Sequence, residues 1–117
     1  MIFWIASYPK SGNTWLRALI SSYFYSNDGF FSKEIMKNID QFPEKIHFQG
    51  FKYDQKNITD TTKLWIVAQE KINKDKKIKF FKTHNLYGAI NNYDFTNNKN
   101  TLACIYIVRD PRNVISS

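Results

Sequence analysis

Cysteine is almost missing from this chain of 117 residues; Cys104 is the only one. No disulfide can form within the chain, which suits a reducing compartment, and the expected localisation is cytoplasmic. No Cys/His cluster has metal-ligand spacing, so no metal is expected. Long apolar runs are lacking as well. No stretch approaches the ~20 residues of a membrane-crossing helix, so no membrane span is expected. The N-terminal apolar run Ile2-Phe3-Trp4-Ile5-Ala6 is too short for a signal peptide and has no basic segment ahead of it. Acidic residues are scarce: 10 Asp and Glu against 17 Lys and Arg leave a net charge of +7. That balance fits a polyanionic small ligand, and on charge alone it also fits nucleic acid or an anionic surface. Much of the excess lies in residues 71–79, at a helix end and the turn after it, where cations complement the helix dipole; a solvated face is the expected role. There is no internal repeat.

What is present points to one packed α/β domain. Hydrophobic residues make up 43% and aromatics 17% of the chain, too much for disorder and enough for a core. The opening apolar run reads as a strand. Tyr8-Pro9-Lys10-Ser11-Gly12-Asn13-Thr14-Trp15 follows it, a tight turn carrying a lysine and then a helix start. A strand, turn and helix of this kind aim free backbone N–H groups and one ammonium at a single point. The helix dipole favours an anion there, most often a phosphate. The turn is not a Walker A loop, which places Gly-Lys-Ser/Thr at its end; here the lysine precedes Ser-Gly and the magnesium-binding hydroxyl is missing. That weakens the alternative of a P-loop-type nucleotide or small-molecule kinase.

A second apolar run, Leu102-Ala103-Cys104-Ile105-Tyr106-Ile107-Val108, reads as a strand buried on both faces of a parallel sheet, with Cys104 a small core residue. It breaks at Arg109-Asp110-Pro111, where Asp110 suits an N-cap and Pro111 a first helical position. Arg109 therefore belongs at the C-terminal edge of the sheet, where open α/β folds bind ligands. A third strand is expected over Ile78-Lys79-Phe80-Phe81-Lys82, with Thr83 and His84 at its exit on the same edge. Histidine suits general-base chemistry because its ordinary pKa is close to the working pH.

These three segments resemble those of the PAPS-dependent sulfotransferases, where PAPS is 3′-phosphoadenosine 5′-phosphosulfate. Pro9 to Trp15 is similar to the 5′-phosphosulfate loop, Lys82-Thr83-His84 to the catalytic-base segment, and Arg109 with Ser117 to the 3′-phosphate pair. The resemblance implies a P-loop-type α/β fold, a mainly parallel sheet flanked by helices and incomplete in this chain. It implies PAPS as co-substrate, no metal, and a small-molecule or glycan acceptor rather than nucleic acid. Lys10 would stabilise the leaving phosphate, His84 would take the acceptor proton, and Lys82 would add positive potential near the sulfuryl group. Ser11, Gly12, Asn13, Thr14 and Trp15, with Lys10, would hold the 5′-phosphate through backbone N–H groups and the hydroxyls of Ser11 and Thr14. Trp15 would either pack on the adenine or join the core. Asn85 departs from the proline common in the family. Family members are longer, and the Arg-Lys-Gly loop that completes their 3′-phosphate site is absent. Residues 1–117 are therefore expected to be the N-terminal part of a single sulfotransferase domain, inactive alone. A non-catalytic anion-binding module is the other alternative.

Between the segments, a helix is expected over residues 13–25 with Trp15-Leu16, Leu19-Ile20 and Tyr23-Phe24 as its buried face. A short helix is expected over residues 33–39. Phe42, Phe48, Phe51 and Tyr53 either wall the acceptor pocket or pack in the core, the core being favoured, and His47 reads as a loop residue. Thr59-Asp60-Thr61 should cap a second long helix whose buried side is Leu64, Val67-Ala68 and Ile72. The polar segment 91–100 reads as a loop with a weak helical turn.

Overall fold

The strand β1 (Ile2–Ser7) organises the chain. In the computed structural model, residues 1–9, 11–54, 56–85, 88–90 and 92–116 are described, with the side chains of Ile58, Thr59, Asn113, Val114 and Ser116 left aside. After β1 come α1 (Asn13–Tyr25), α2 (Lys33–Met36), β2 (Asp40–Gln41) and α3 (Trp65–Ile72). Then follow β3 (Lys79–Thr83), β4 (Ala89–Ile90), β5 (Tyr93–Asp94), β6 (Thr101–Ile107) and α4 (Pro111–Ser116). Four strands form one sheet in the order β2-β3-β1-β6, every neighbouring pair parallel. The fold is thus α/β with a parallel sheet flanked by helices, as the alternation of elements implies. Among the described residues no helix is long and apolar enough to cross a membrane.

Strand β1 is buried almost throughout because it has a strand on either side. Alternation sends Ile2 and Trp4 to one face, where Trp4 meets Phe42, Phe81 and Phe95, and Trp65 stacks edge-on against Phe95. Phe42 and Phe48 belong to this core, with Phe51 and Tyr53 half-buried against it. The other face carries Phe3 and Phe80, and Phe24 of α1 lies on Phe80.

A buried polar chain ties α3 to the sheet. Gln69 is fully buried; its Nε2 donates to the Phe95 carbonyl at 2.6 Å, and its Oε1 accepts from Thr96 Oγ1 at 2.7 Å. Thr96 also shares a hydrogen bond with Thr101, which accepts from Trp4 Nε1 at 2.9 Å. A continuous network of this kind satisfies each of these groups without water.

Four expectations need correction. The run at residues 102–108 is not buried on both faces: β6 lies at the end of the sheet with only β1 beside it, and Leu102, Ile105 and Tyr106 are exposed. Cys104 is exposed for the same reason. Helix α1 has the expected bounds but only part of the expected buried face: Leu16 and Ile20 are half-buried, and Phe24 lies on Phe80 with its outer side exposed. Ser21 is fully buried instead, and Trp15, Leu19 and Tyr23 form an exposed apolar stripe. The second long helix begins with a 3-10 segment, Ile58–Leu64, and the Asp60 carboxylate binds backwards to the Asp54 N–H and to Lys63 rather than capping it. Val67 is exposed there, while Trp65 and Gln69 are buried. The polar connector makes the expected helical turn, with the Thr101 N–H donating to the Asn97 carbonyl at 3.0 Å, and ahead of it a short antiparallel hairpin, β4 with β5, that the sequence does not signal.

Candidate functional site

Parallel registry brings three loops to one edge. Ala6 lies beside Thr83 and Ser7 beside Ile107, so β1, β3 and β6 end level with one another. The loop after β1 leaves between the loops after β3 and β6. Strands are about 4.8 Å apart, so the outer two exits are about 10 Å from each other across the central one.

At the central exit, Gly12 takes φ +100° and ψ 13°, a left-handed conformation that a Cβ would strain. This bend starts α1 with no side chain capping it. The first intrahelical bond runs from the Leu16 N–H to the Gly12 carbonyl at 3.1 Å, so the N–H groups of Asn13 to Trp15 have no partner within the helix. Ser11 is buried, and Thr14 and Trp15 are exposed at the helix start. The Trp15 ring is 69% exposed and takes no part in the core that the described residues form. Asn13 behaves differently: its side chain is buried and turned into the sheet, with Nδ2 donating to the Ile5 carbonyl and to Ser7 Oγ, both at 3.0 Å. Lys10 lies outside the described residues.

At the exit of β6, Asp110 caps α4 as expected, its Oδ1 accepting from the Arg112 N–H at 2.9 Å, with Pro111 at the first helical position. The Arg112 guanidinium also grips this carboxylate, which holds Asp110 below the usual carboxylate range. The cap fixes where the chain turns and leaves Arg109 at the edge. A cavity of about 330 Å³ opens between this segment and the first loop, lined by Tyr8, Ser11, Tyr106, Ile107, Arg109 and Ile115. It lies at the point where the sheet's strand order reverses direction, the usual ligand crevice of such folds. Ser117 lies outside the described residues.

At the exit of β3, Thr83 Oγ1 accepts from the Asn85 N–H at 3.1 Å and turns the chain. His84, half-buried, sets Nδ1 2.8 Å from the Ser7 carbonyl. A carbonyl can only accept, so Nδ1 bears a proton, and in the neutral imidazole the lone pair is on Nε2. A second cavity, of about 300 Å³, has His84 and Asn85 at one side and Trp65, Ala89, Ile90 and Phe95 around it. Lys82 points the other way along the strand, to the α1 face. Burial first, then Arg17, pulls its pKa below the ordinary lysine value, with Glu44 opposing. It lines neither of these two cavities.

A family model described as the sulfotransferase domain matches residues 2–117. The chain belongs to the sulfotransferase family. Membership makes it a sulfotransferase of P-loop-type fold, moving a sulfuryl group from a donor co-substrate to a small-molecule acceptor. No curated protein matches the chain, and no solved structure matches it.

Reading the sequence misses two contributors to the candidate site. Ser7 supplies the carbonyl that holds His84, and the signal was a lone polar residue closing an otherwise apolar strand. The cavity beside His84 owes its wall to Trp65 of α3, distant in sequence, and to β4, whose two-residue strand the sequence does not signal.

Proposed function

We propose that the donor is PAPS and that its sulfuryl group passes to a hydroxyl or amine of the acceptor, with His84 as general base and Lys10 stabilising the leaving phosphate. The observation that carries this reading is the lateral order of the three exits: His84, then the anion-binding turn, then Arg109. An adenosine 3′,5′-bisphosphate lying along the edge would have its 5′ group at the central loop and its 3′ group toward Arg109. The acceptor would approach from the His84 side.

PAPS supplies the activated sulfuryl group when bound; the chain supplies the rest. Backbone N–H groups at the start of α1, with the hydroxyls of Ser11 and Thr14, hold the 5′-phosphate by preorganised donation. Gly12 allows the backbone to approach it. Trp15 packs on the adenine, and Arg109 with Ser117 holds the 3′-phosphate, guanidinium supplying charge and a donor fork. His84 Nε2 receives the acceptor proton, and the Ser7 carbonyl keeps the other nitrogen protonated meanwhile. The cavity of Trp65, Ile90 and Phe95 takes the apolar body of the acceptor. Lys82 contributes positive potential from across the strand. The lone exposed thiol, Cys104, suits a reducing cytoplasm.

Residues 1–117 form the N-terminal part of a single, longer domain. Supporting this are the exposed apolar residues of β6 at the sheet edge and Leu19 and Tyr23 of α1, surfaces that further elements of the same domain would cover.

The test, on the full-length protein that contains this chain, is titration calorimetry with 3′,5′-ADP beside ATP and Mg²⁺, coupled to turnover of two variants. Binding of 3′,5′-ADP alone is expected. His84→Ala should lower kcat by about 10²- to 10⁴-fold, and Lys10→Ala by about 10²- to 10³-fold. Near-normal turnover in His84→Ala would remove it as the base.

A further inference from the structure

Asn13 stands at the first position of α1, where a side chain would ordinarily help bind whatever sits at the helix end. Its amide instead points inward, 4% exposed, and spends both of its donor hydrogens on β1. The Oδ1 atom is buried with no hydrogen-bond partner. The position therefore uses the amide as a donor alone. Both acceptors, the Ile5 carbonyl and Ser7 Oγ, lie in the last three residues of the strand. Ser7 is itself 2% exposed, and its carbonyl accepts from His84 Nδ1. One residue thus touches the helix that opens the anion site and, through Ser7, the ring proposed as base.

We propose that Asn13 is a positioning residue for His84. By clamping the end of β1 it fixes the Ser7 carbonyl, which keeps the imidazole proton on Nδ1 and the Nε2 lone pair available to the acceptor. This rests on His84 being the base. The clamp itself does not depend on that reading, and the two can be separated.

His47 provides an internal reference. Its Nδ1 accepts from the Glu44 N–H at 3.1 Å, so its proton sits on Nε2, the opposite tautomer to His84. Imidazole ¹⁵N NMR of the protein at mildly alkaline pH, with each ring assigned by single substitution, should resolve one of each. In Asn13→Asp, equal in shape but without the two donors, the His84 signal should move to a mixture of tautomers. His47 should stay unchanged, and kcat should fall by about tenfold or more. Ser7→Ala keeps the carbonyl and removes one clamp bond, so it should show a smaller shift in the same direction; it carries the test if Asn13→Asp does not fold. A His84 tautomer and a kcat both unmoved in a folded variant would overturn the proposal. A tautomer that responds while His84→Ala keeps wild-type turnover would overturn the base assignment, leaving the clamp as a structural contact only.

Discussion

Arg109→Ala offers the sharpest separation of the two ends of the proposed nucleotide. The side chain lies at the mouth of a cavity walled by Ile107 and Ile115, two residues beyond the end of β6 and one before the cap of α4. Removing a charge-assisted partner of a phosphate costs about 1.5–3 kcal/mol. Arg109 is exposed, so solvent screens the pair and the lower part of that range applies. A loss of about 1.5–2 kcal/mol corresponds to a 10- to 30-fold weaker Kd. The assay is calorimetry with two ligands that differ only at the ribose 3′ position, 3′,5′-ADP and 5′-AMP, on the wild type and the variant. Loss on the bisphosphate alone is the expected result. Arg109→Lys should recover only part of it, because an ammonium keeps the charge but not the planar fork. Equal loss on both ligands, or none on either, would refute the assignment of Arg109 to the 3′-phosphate.

Gln69→Leu keeps the volume but takes from the interior the donor to the Phe95 carbonyl and the acceptor of the Thr96 hydroxyl. It should lower stability by about 2–4 kcal/mol, read as a shift in urea midpoint at constant slope; a shift below about 0.5 kcal/mol would show that the network contributes little. His47 sits on Phe42 and Phe81, and burial pushes its pKa below the ordinary value, with Glu44 and Asp40 opposing. The unfolded chain then takes up a proton before the folded one does. Stability from this group is therefore full above about pH 6.5 and is lost as pH falls through the lower folded value. Urea midpoints between about pH 7.5 and pH 5 should fall with acid, and His47→Gln should flatten that slope.

Local chemistry was legible in the sequence, and neighbourhood was not. The turn at Gly12 and the cap at Asp110-Pro111 depend on a few adjacent residues, and both stand where the sequence places them. The bounds of α1 are equally local. Its orientation is only partly so: Leu16 and Ile20 of the expected face are half-buried, yet Trp15, Leu19 and Tyr23 of the same face are exposed and Ser21 is fully buried. Hydrophobic spacing says which residues form a stripe and cannot say which neighbour is present to cover it. The same holds for β6, whose apolar run promises a central strand and whose partner on one side is β1 alone. The hairpin of β4 and β5 escaped because strands of two residues carry no alternation to detect.

The decisive feature of the site is also the least legible. Along the chain the three loops appear in the order anion turn, His84, Arg109, which would suggest a base between two phosphate contacts. In space the first strand lies in the middle, because the chain builds β3 on one side of β1 and then passes β1 to lay β6 on the other. That reversal opens a crevice between Ser11 and Arg109, with His84 on the opposite flank of the turn. A base between two phosphates would face the nucleotide. On the proposed reading, a base outside them faces an acceptor arriving from the far side, as a transfer needs. Even the inward turn of Asn13 follows from this arrangement. With β1 central, one amide on the helix can grip the strand whose end carries the carbonyl that holds the histidine.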